Sequence, residues 1–114
     1  MGQVDGLEMY QELTDALNDQ DKAIDSMRNA AKDMATADCE FDIALAEAVV
    51  KSRMDGEAAA LCKVIALGKR NVAEAKYRKI AAEAMWKVSQ EDVNNRKRRI
   101  DVMREQMNRE WGRQ

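Results

Sequence analysis

Histidine and proline are absent from this chain, and aromatic residues make up only 4% of it. Without histidine, the commonest general base and the commonest metal ligand are missing. The Glu-x-x-His motif of di-iron bundles is excluded with it. No proline and only five glycines leave almost no turn punctuation, which argues against an all-β fold. Two isolated cysteines, Cys39 and Cys62, are too few for a four-ligand zinc site or for a disulfide-stapled secreted scaffold. Both are expected to be buried thiols in a cytoplasmic protein. No run of about 18 apolar residues exists, so no membrane span and no membrane partner are expected. The first residues show no charged-then-apolar leader pattern.

What is present is a sequence of 114 residues, 46% hydrophobic and 35% charged, a length that suggests one domain, residues 1–114. The net charge of −2 hides an asymmetry. Residues 1–50 hold 12 acids against 3 bases, a net of −9, and the remainder holds the other 9 acids and 16 bases, a net of +7. Such a split can mark a nucleic-acid face on the basic half. It also arises when the two halves pair with each other in an antiparallel hairpin.

Heptad patterning supports the hairpin. A first long helix is predicted over residues 4–54. One row reads Leu17, Ile24, Ala31, Asp38, Leu45, Ser52; the other reads Leu13, Gln20, Met27, Met34, Phe41, Ala48. Their 3–4 spacing is that of a coiled-coil seam. Beside them run Ala16, Ala23, Ala30, Ala37 and Ala44, a flank of methyl groups that lets a further helix approach closely. Asp55-Gly56 breaks the pattern, a glycine just past a helix end being suited to the left-handed conformation. A short corner helix, residues 57–67, is expected to end at Gly68 in the same way. A second long helix is predicted over residues 69–111. Its seam is read as Val72, Ala75, Ala82, Trp86, Val93, Ile100, Met103 and Met107, widened by Tyr77, Ile80, Ala81, Ala84, Val88 and Val102. Between Val88 and Ile100 the apolar pattern weakens: either the helix leaves the bundle there or it meets a polar surface.

The fold class is therefore all-α: a long antiparallel helical hairpin with a short corner helix. Helices of roughly 75 and 60 Å in a two-helix rod leave apolar stripes uncovered. Assembly into a helical-bundle homo-oligomer, a homodimer or higher, is expected.

No catalytic residues and no metal ligands stand out. Ser26, Ser52, Ser89, Cys39 and Cys62 have no histidine to activate them. Gly56 and Gly68 bracket no phosphate-loop or dinucleotide pattern. No cofactor is expected, and the protein is read as not an enzyme. The most suggestive local feature is Gly68-Lys69-Arg70-Asn71. Unpaired N–H groups and the positive end of the dipole attract anions at a helix start. Lys69 and Arg70 would hold a phosphate there, assisted by Asn71 and by Lys63 of the preceding helix. Arg96-Lys97-Arg98-Arg99 is the alternative site, for nucleic-acid phosphates; the competing reading pairs it with Glu8, Glu12 and Asp15 of the first helix. Trp111 is expected to cap the bundle against the first turns near Leu7 and Tyr10.

Across roughly residues 23–112, the chain resembles small helical proteins of phages and prophages, especially those of Firmicutes. The resemblance rests on Leu67-Gly68 at the corner, Val72-Ala73-Glu74-Ala75-Lys76-Tyr77-Arg78, Arg98-Arg99-Ile100, and Gln106-Met107-Asn108-Arg109-Glu110-Trp111. It implies an accessory protein made in the host cytoplasm and carries over no functional residues. The expected function is counter-defence: a non-enzymatic binding protein that sequesters a host immune signal, a nucleotide derivative, at a basic corner of the oligomer. The alternatives are a replication or recombination accessory protein binding nucleic acid through the basic helix, and a protein–protein inhibitor of a host factor.

Overall fold

The computed structural model describes residues 6–112 and consists of three helices with no strand among them. They are α1 (Gly6–Met54), α2 (Ala59–Leu67) and α3 (Arg70–Trp111). The all-helical expectation holds, with a long helix pair joined through a short third helix. Val4 and Asp5, where the first helix was expected to begin, lie outside the described residues. The corner helix starts two residues later than expected, and Lys69 precedes α3 as its cap, its carbonyl accepting the Ala73 N–H at 2.9 Å.

The chain divides into two compact units. In unit 1, residues up to Arg28 pack with those from Lys87 onward; unit 2 is residues Asn29–Trp86 and holds α2. The helices run antiparallel in each. In unit 1 a Cβ on Gly6 would meet the Trp111 ring at 3.3 Å, placing Trp111 against the first turn of α1 as expected. In unit 2 Lys79 pairs with Asp38, and Arg78 with Glu40.

The buried seam keeps one of the two rows read from the sequence, Leu13, Gln20, Met27, Met34, Phe41 and Ala48, and replaces most of the other. On α1 it runs Met9, Leu13, Ala16, Gln20, Ala23, Met27 in unit 1 and Ala30, Met34, Ala37, Phe41, Ala44, Ala48, Ser52 in unit 2, all buried or half-buried. The alanine row is thus the centre of the seam, not its flank, and it is covered within the chain. The row of Leu17, Ile24, Ala31 and Leu45 is the half-buried flank instead, and its Asp38 is exposed. Methyl side chains let the facing helix come close, so the contact settles where the side chains are smallest. On α3 the seam follows an unbroken 3–4 spacing: Val72, Ala75, Lys79, Ala82, Trp86 in unit 2, then Ser89, Val93, Arg96, Ile100, Met103, Met107 in unit 1. Three polar members, Lys79, Ser89 and Arg96, complete a seam that an apolar count leaves broken. The expected widening of this seam is corrected: Tyr77, Ile80, Ala81, Ala84, Val88 and Val102 are all exposed.

The first corner is built as expected. Gly56 has φ +92°, its N–H donates to the Arg53 carbonyl at 3.1 Å, and the Glu57 N–H donates to the Ser52 carbonyl at 3.1 Å. These are the paired bonds of a Schellman ending, which needs a left-handed residue between them. The second corner is not. Gly68 has φ −84° and ψ −7°, a helical conformation open to any residue. Its N–H donates to the Ile65 carbonyl and that of Lys69 to the Ala66 carbonyl, so α2 ends in a tightened turn. α2 itself lies on the core of unit 2 through Cys62 and Ala66, which are buried together with Val72 and Ala75. Cys62 donates its thiol to the Ala58 carbonyl at 3.3 Å. Cys39, expected to be buried, is exposed on α1.

Candidate functional site

Two places gather the charged residues singled out in the sequence, one in each unit. The first is the corner of unit 2. The end of α1 and the start of α3 enclose a recess of about 240 Å³ lined by Glu47, Ala48, Lys51, Ser52, Asp55, Lys69 and Asn71. Lys69 and Asn71 are there because the turn after α2 returns the chain to the last turn of α1. Lys63 and Arg70 are exposed and do not line the recess. The sequence reading missed Lys51, Glu47 and Asp55. Their signal was the hairpin itself, since residues just before the first corner must face residues just after the second. The recess therefore holds two ammonium groups and two carboxylates around an amide and a buried serine, rather than the purely basic cluster expected. Such a lining offers cations to a phosphate and acceptors to hydroxyl or amino groups.

The second place is the polar stretch of the seam in unit 1. Glu12, Asp15, Ala16 and Asp19 of α1 face Arg96, Arg99 and Met103 of α3 around a recess of about 260 Å³. A neighbouring recess is lined by Asp19, Lys22, Ala23, Ser26, Asp92 and Arg96. Arg96 Nε donates to both carboxylate oxygens of Asp92 at 3.2 Å. Arg98 donates to the Asn95 side-chain oxygen at 3.0 Å, and Lys97 is exposed. Of the four consecutive bases, Arg96 and Arg99 thus sit by three α1 carboxylates. The Val88–Ile100 stretch stays helical and meets a polar surface, which belongs to α1 of the same unit.

Unit 2 also holds a polar clasp. Lys79 Nζ lies 3.0 Å from Asp38 Oδ1 and 5.0 Å from the centre of the Phe41 ring. The hydrogen bond to Asp38 holds the Lys79 ammonium above its ordinary range, against the opposing effect of desolvation. A polar residue in a mostly apolar seam favours a single register over slipped alternatives.

Among the described residues no group of three or more potential metal ligands converges, no buried side-chain nitrogen or oxygen lacks a hydrogen-bond partner, and no helix is long and apolar enough to cross a membrane. Neither protein-family models, nor curated proteins, nor solved structures yield a match to this chain.

Proposed function

We propose that this protein acts by binding rather than by chemistry, and that the corner of unit 2 holds a phosphate-bearing small molecule, a nucleotide derivative. The recess lined by Lys51, Lys69 and Asn71 carries this reading. Two ammonium groups and the start of α3 attract the phosphate. Glu47 and Asp55 accept from ribose hydroxyls or an exocyclic amine. At about 240 Å³ the recess is smaller than the roughly 300–1,000 Å³ of sites that enclose a drug-sized ligand. It takes the phosphate end and leaves the rest of the molecule to a neighbouring surface, such as a second copy. Lys63 and Arg70, exposed outside the recess, add to the local field without touching the ligand. The setting follows the resemblance of residues 23–112: a phage accessory protein in the host cytoplasm, sequestering an immune signal so that its receptor stays silent.

The test is calorimetry of the full chain with cyclic dinucleotides, ADP-ribose derivatives and inorganic phosphate. Binding that falls about tenfold or more for Lys69→Glu and for Lys51→Glu, and weakens with salt, supports the assignment. Absence of binding by every nucleotide, or binding unchanged in both variants, overturns it. Nucleic-acid binding through the basic helix is the weaker reading, because Arg96 and Arg99 sit beside carboxylates. A gel shift of nanomolar affinity and steep salt dependence, lost in Lys97→Gln with Arg98→Gln, would instead favour it.

A further inference from the structure

Both long helices of unit 2 carry a second apolar row. Over part of each helix it lies two residues beyond the seam positions, which is 200° around the helix and therefore on the side facing away from the partner helix; beyond Ala30, Met34 and Val72 the same offset gives the polar Lys32, Thr36 and Glu74. On α1, seam residues Ala37, Phe41, Ala44, Ala48 and Ser52 are shadowed by Cys39, Ile43, Ala46, Val50 and Met54. On α3, Ala75, Lys79 and Ala82 are shadowed by Tyr77, Ala81 and Ala84. All of these outer residues are exposed, Tyr77 at 74% and Met54 at 81%. A shallow apolar hollow lined by Ala46, Val50 and Met54, with Glu47 and Lys51 at its rim, already marks the α1 row. The same rule in unit 1 gives Gln11, Asp15, Asn18, Lys22 and Asp25 on α1, and Glu91, Asn95, Arg98, Val102, Glu105 and Arg109 on α3. That surface is made for water, so the apolar rows of unit 2 are a local departure.

We infer that the outer row of α1 in unit 2 docks on the outer row of α3 in a second copy, a head-to-tail contact between copies of this chain. Charge selects this pairing over α1 against α1. Within unit 2, α1 holds 5 acids and 3 bases, a net of −2, whereas α3 holds 4 bases and 2 acids, a net of +2. Asp42 and Glu47 stand next to the α1 row in sequence, with Lys51 and Arg53 near its end, and Lys76 precedes Tyr77 on α3; Glu40 and Arg78 already pair within the chain. Pairing like helices would oppose like charges, whereas the crossed pairing sets unlike charges together. Each row mixes small residues with large ones, the pattern of knobs and holes. The two rows face away from each other across the seam, so one contact leaves a free row at each end and assembly proceeds past a pair, to a ring or a filament.

The experiment uses two full-length double variants, Ile43→Glu with Val50→Glu, and Tyr77→Glu with Ala84→Glu. Mass is read by sedimentation equilibrium at tens of micromolar, with helicity checked by circular dichroism. All four positions are exposed, so the seam is untouched; glutamine at the same positions repeats the test should glutamate lower the helicity. The wild-type chain is expected at more than twice the monomer mass, each double variant as a monomer, and their equimolar mixture as a dimer and nothing larger. A monomeric wild-type chain overturns the inference. So does a pattern in which one double variant keeps the wild-type mass, or in which the mixture stays monomeric. The measurement is independent of any nucleotide, so its failure leaves the corner assignment to be judged by calorimetry.

Discussion

The two units pair α1 with α3 by the same 3–4 rule and clothe that pairing differently. Unit 1 mixes polar groups into its seam (Gln20, Ser89 and Arg96, with Glu12, Asp15 and Asp19 alongside), and the opposite faces of its helices are almost wholly polar. Unit 2 keeps its seam apolar except for Lys79 and Ser52, adds α2 over it, and leaves apolar rows on the outer faces. The lesson is that a heptad row reports only that a helix has a neighbour. The second row, half a turn away, tells a face clothed for water from one left apolar.

The sharpest contrast between the units is expected from a single new carboxylate. Val72 of unit 2 is fully buried and Val102 of unit 1 is exposed. Val72→Asp should cost about 4 kcal/mol or more, because a buried charge without a partner is among the few changes of that size. Val102→Asp should stay within about 0.5 kcal/mol, as exposed substitutions do. Urea denaturation followed by circular dichroism measures both, and equal losses would break the distinction between seam and outer row.

Overpacking the alanine row comes next. Ala23 in unit 1 and Ala37 in unit 2 are both buried at the seam. Ala23→Leu and Ala37→Leu should each lose roughly 1–3 kcal/mol as the helices are forced apart. Were the alanines an outer flank, as the sequence alone suggests, both leucines would be neutral in thermal melts.

The corner glycines of unit 2 sharpen the picture on a smaller scale. Gly56→Ala places a side chain at φ +92° and should destabilise by about 1 kcal/mol even though no atom lies within 4 Å of the new methyl group. Gly68→Ala meets only ordinary contacts, the nearest at 3.5 Å, at a helical φ. It should stabilise by about 0.4–1 kcal/mol through the unfolded chain. Opposite signs in the two melts are the expected result.

The smallest effect is in alkali. Lys79 is held above 10.5 by Asp38. Its contribution is full below that ordinary value and is lost as pH rises through the higher value of the folded state. Wild type and Asp38→Asn should therefore differ in melting temperature by a constant amount at neutral pH and converge above about 10.5. A gap that persists undiminished well above that pH would detach the pairing from the stability of unit 2.

Much of the fold is written in local chemistry. Helicity follows from the absence of proline and from heptad spacing, and Asp55-Gly56 announces the first corner because a left-handed residue is needed there. Gly68 looks identical in sequence and is not, since only the bonds to Ile65 and Ala66 reveal a tightened helical turn. The candidate site was half legible. Lys69 and Asn71 are visible as a polar start to α3, but Lys51, Glu47 and Asp55 join them only when the chain returns from α2. Arg96 and Arg99 read as an open basic cluster until Glu12, Asp15 and Asp19 are set beside them.

Three helices and two corners follow from the amino-acid order alone, because backbone geometry, glycine placement and periodicity act over a few residues. Which rows form the seam depends on how the helices pack. Three apolar rows on α1 have nearly equal claim by hydropathy, and the choice falls on the alanines because close approach of two backbones depends on volume, which is a property of the pair of helices and not of either alone.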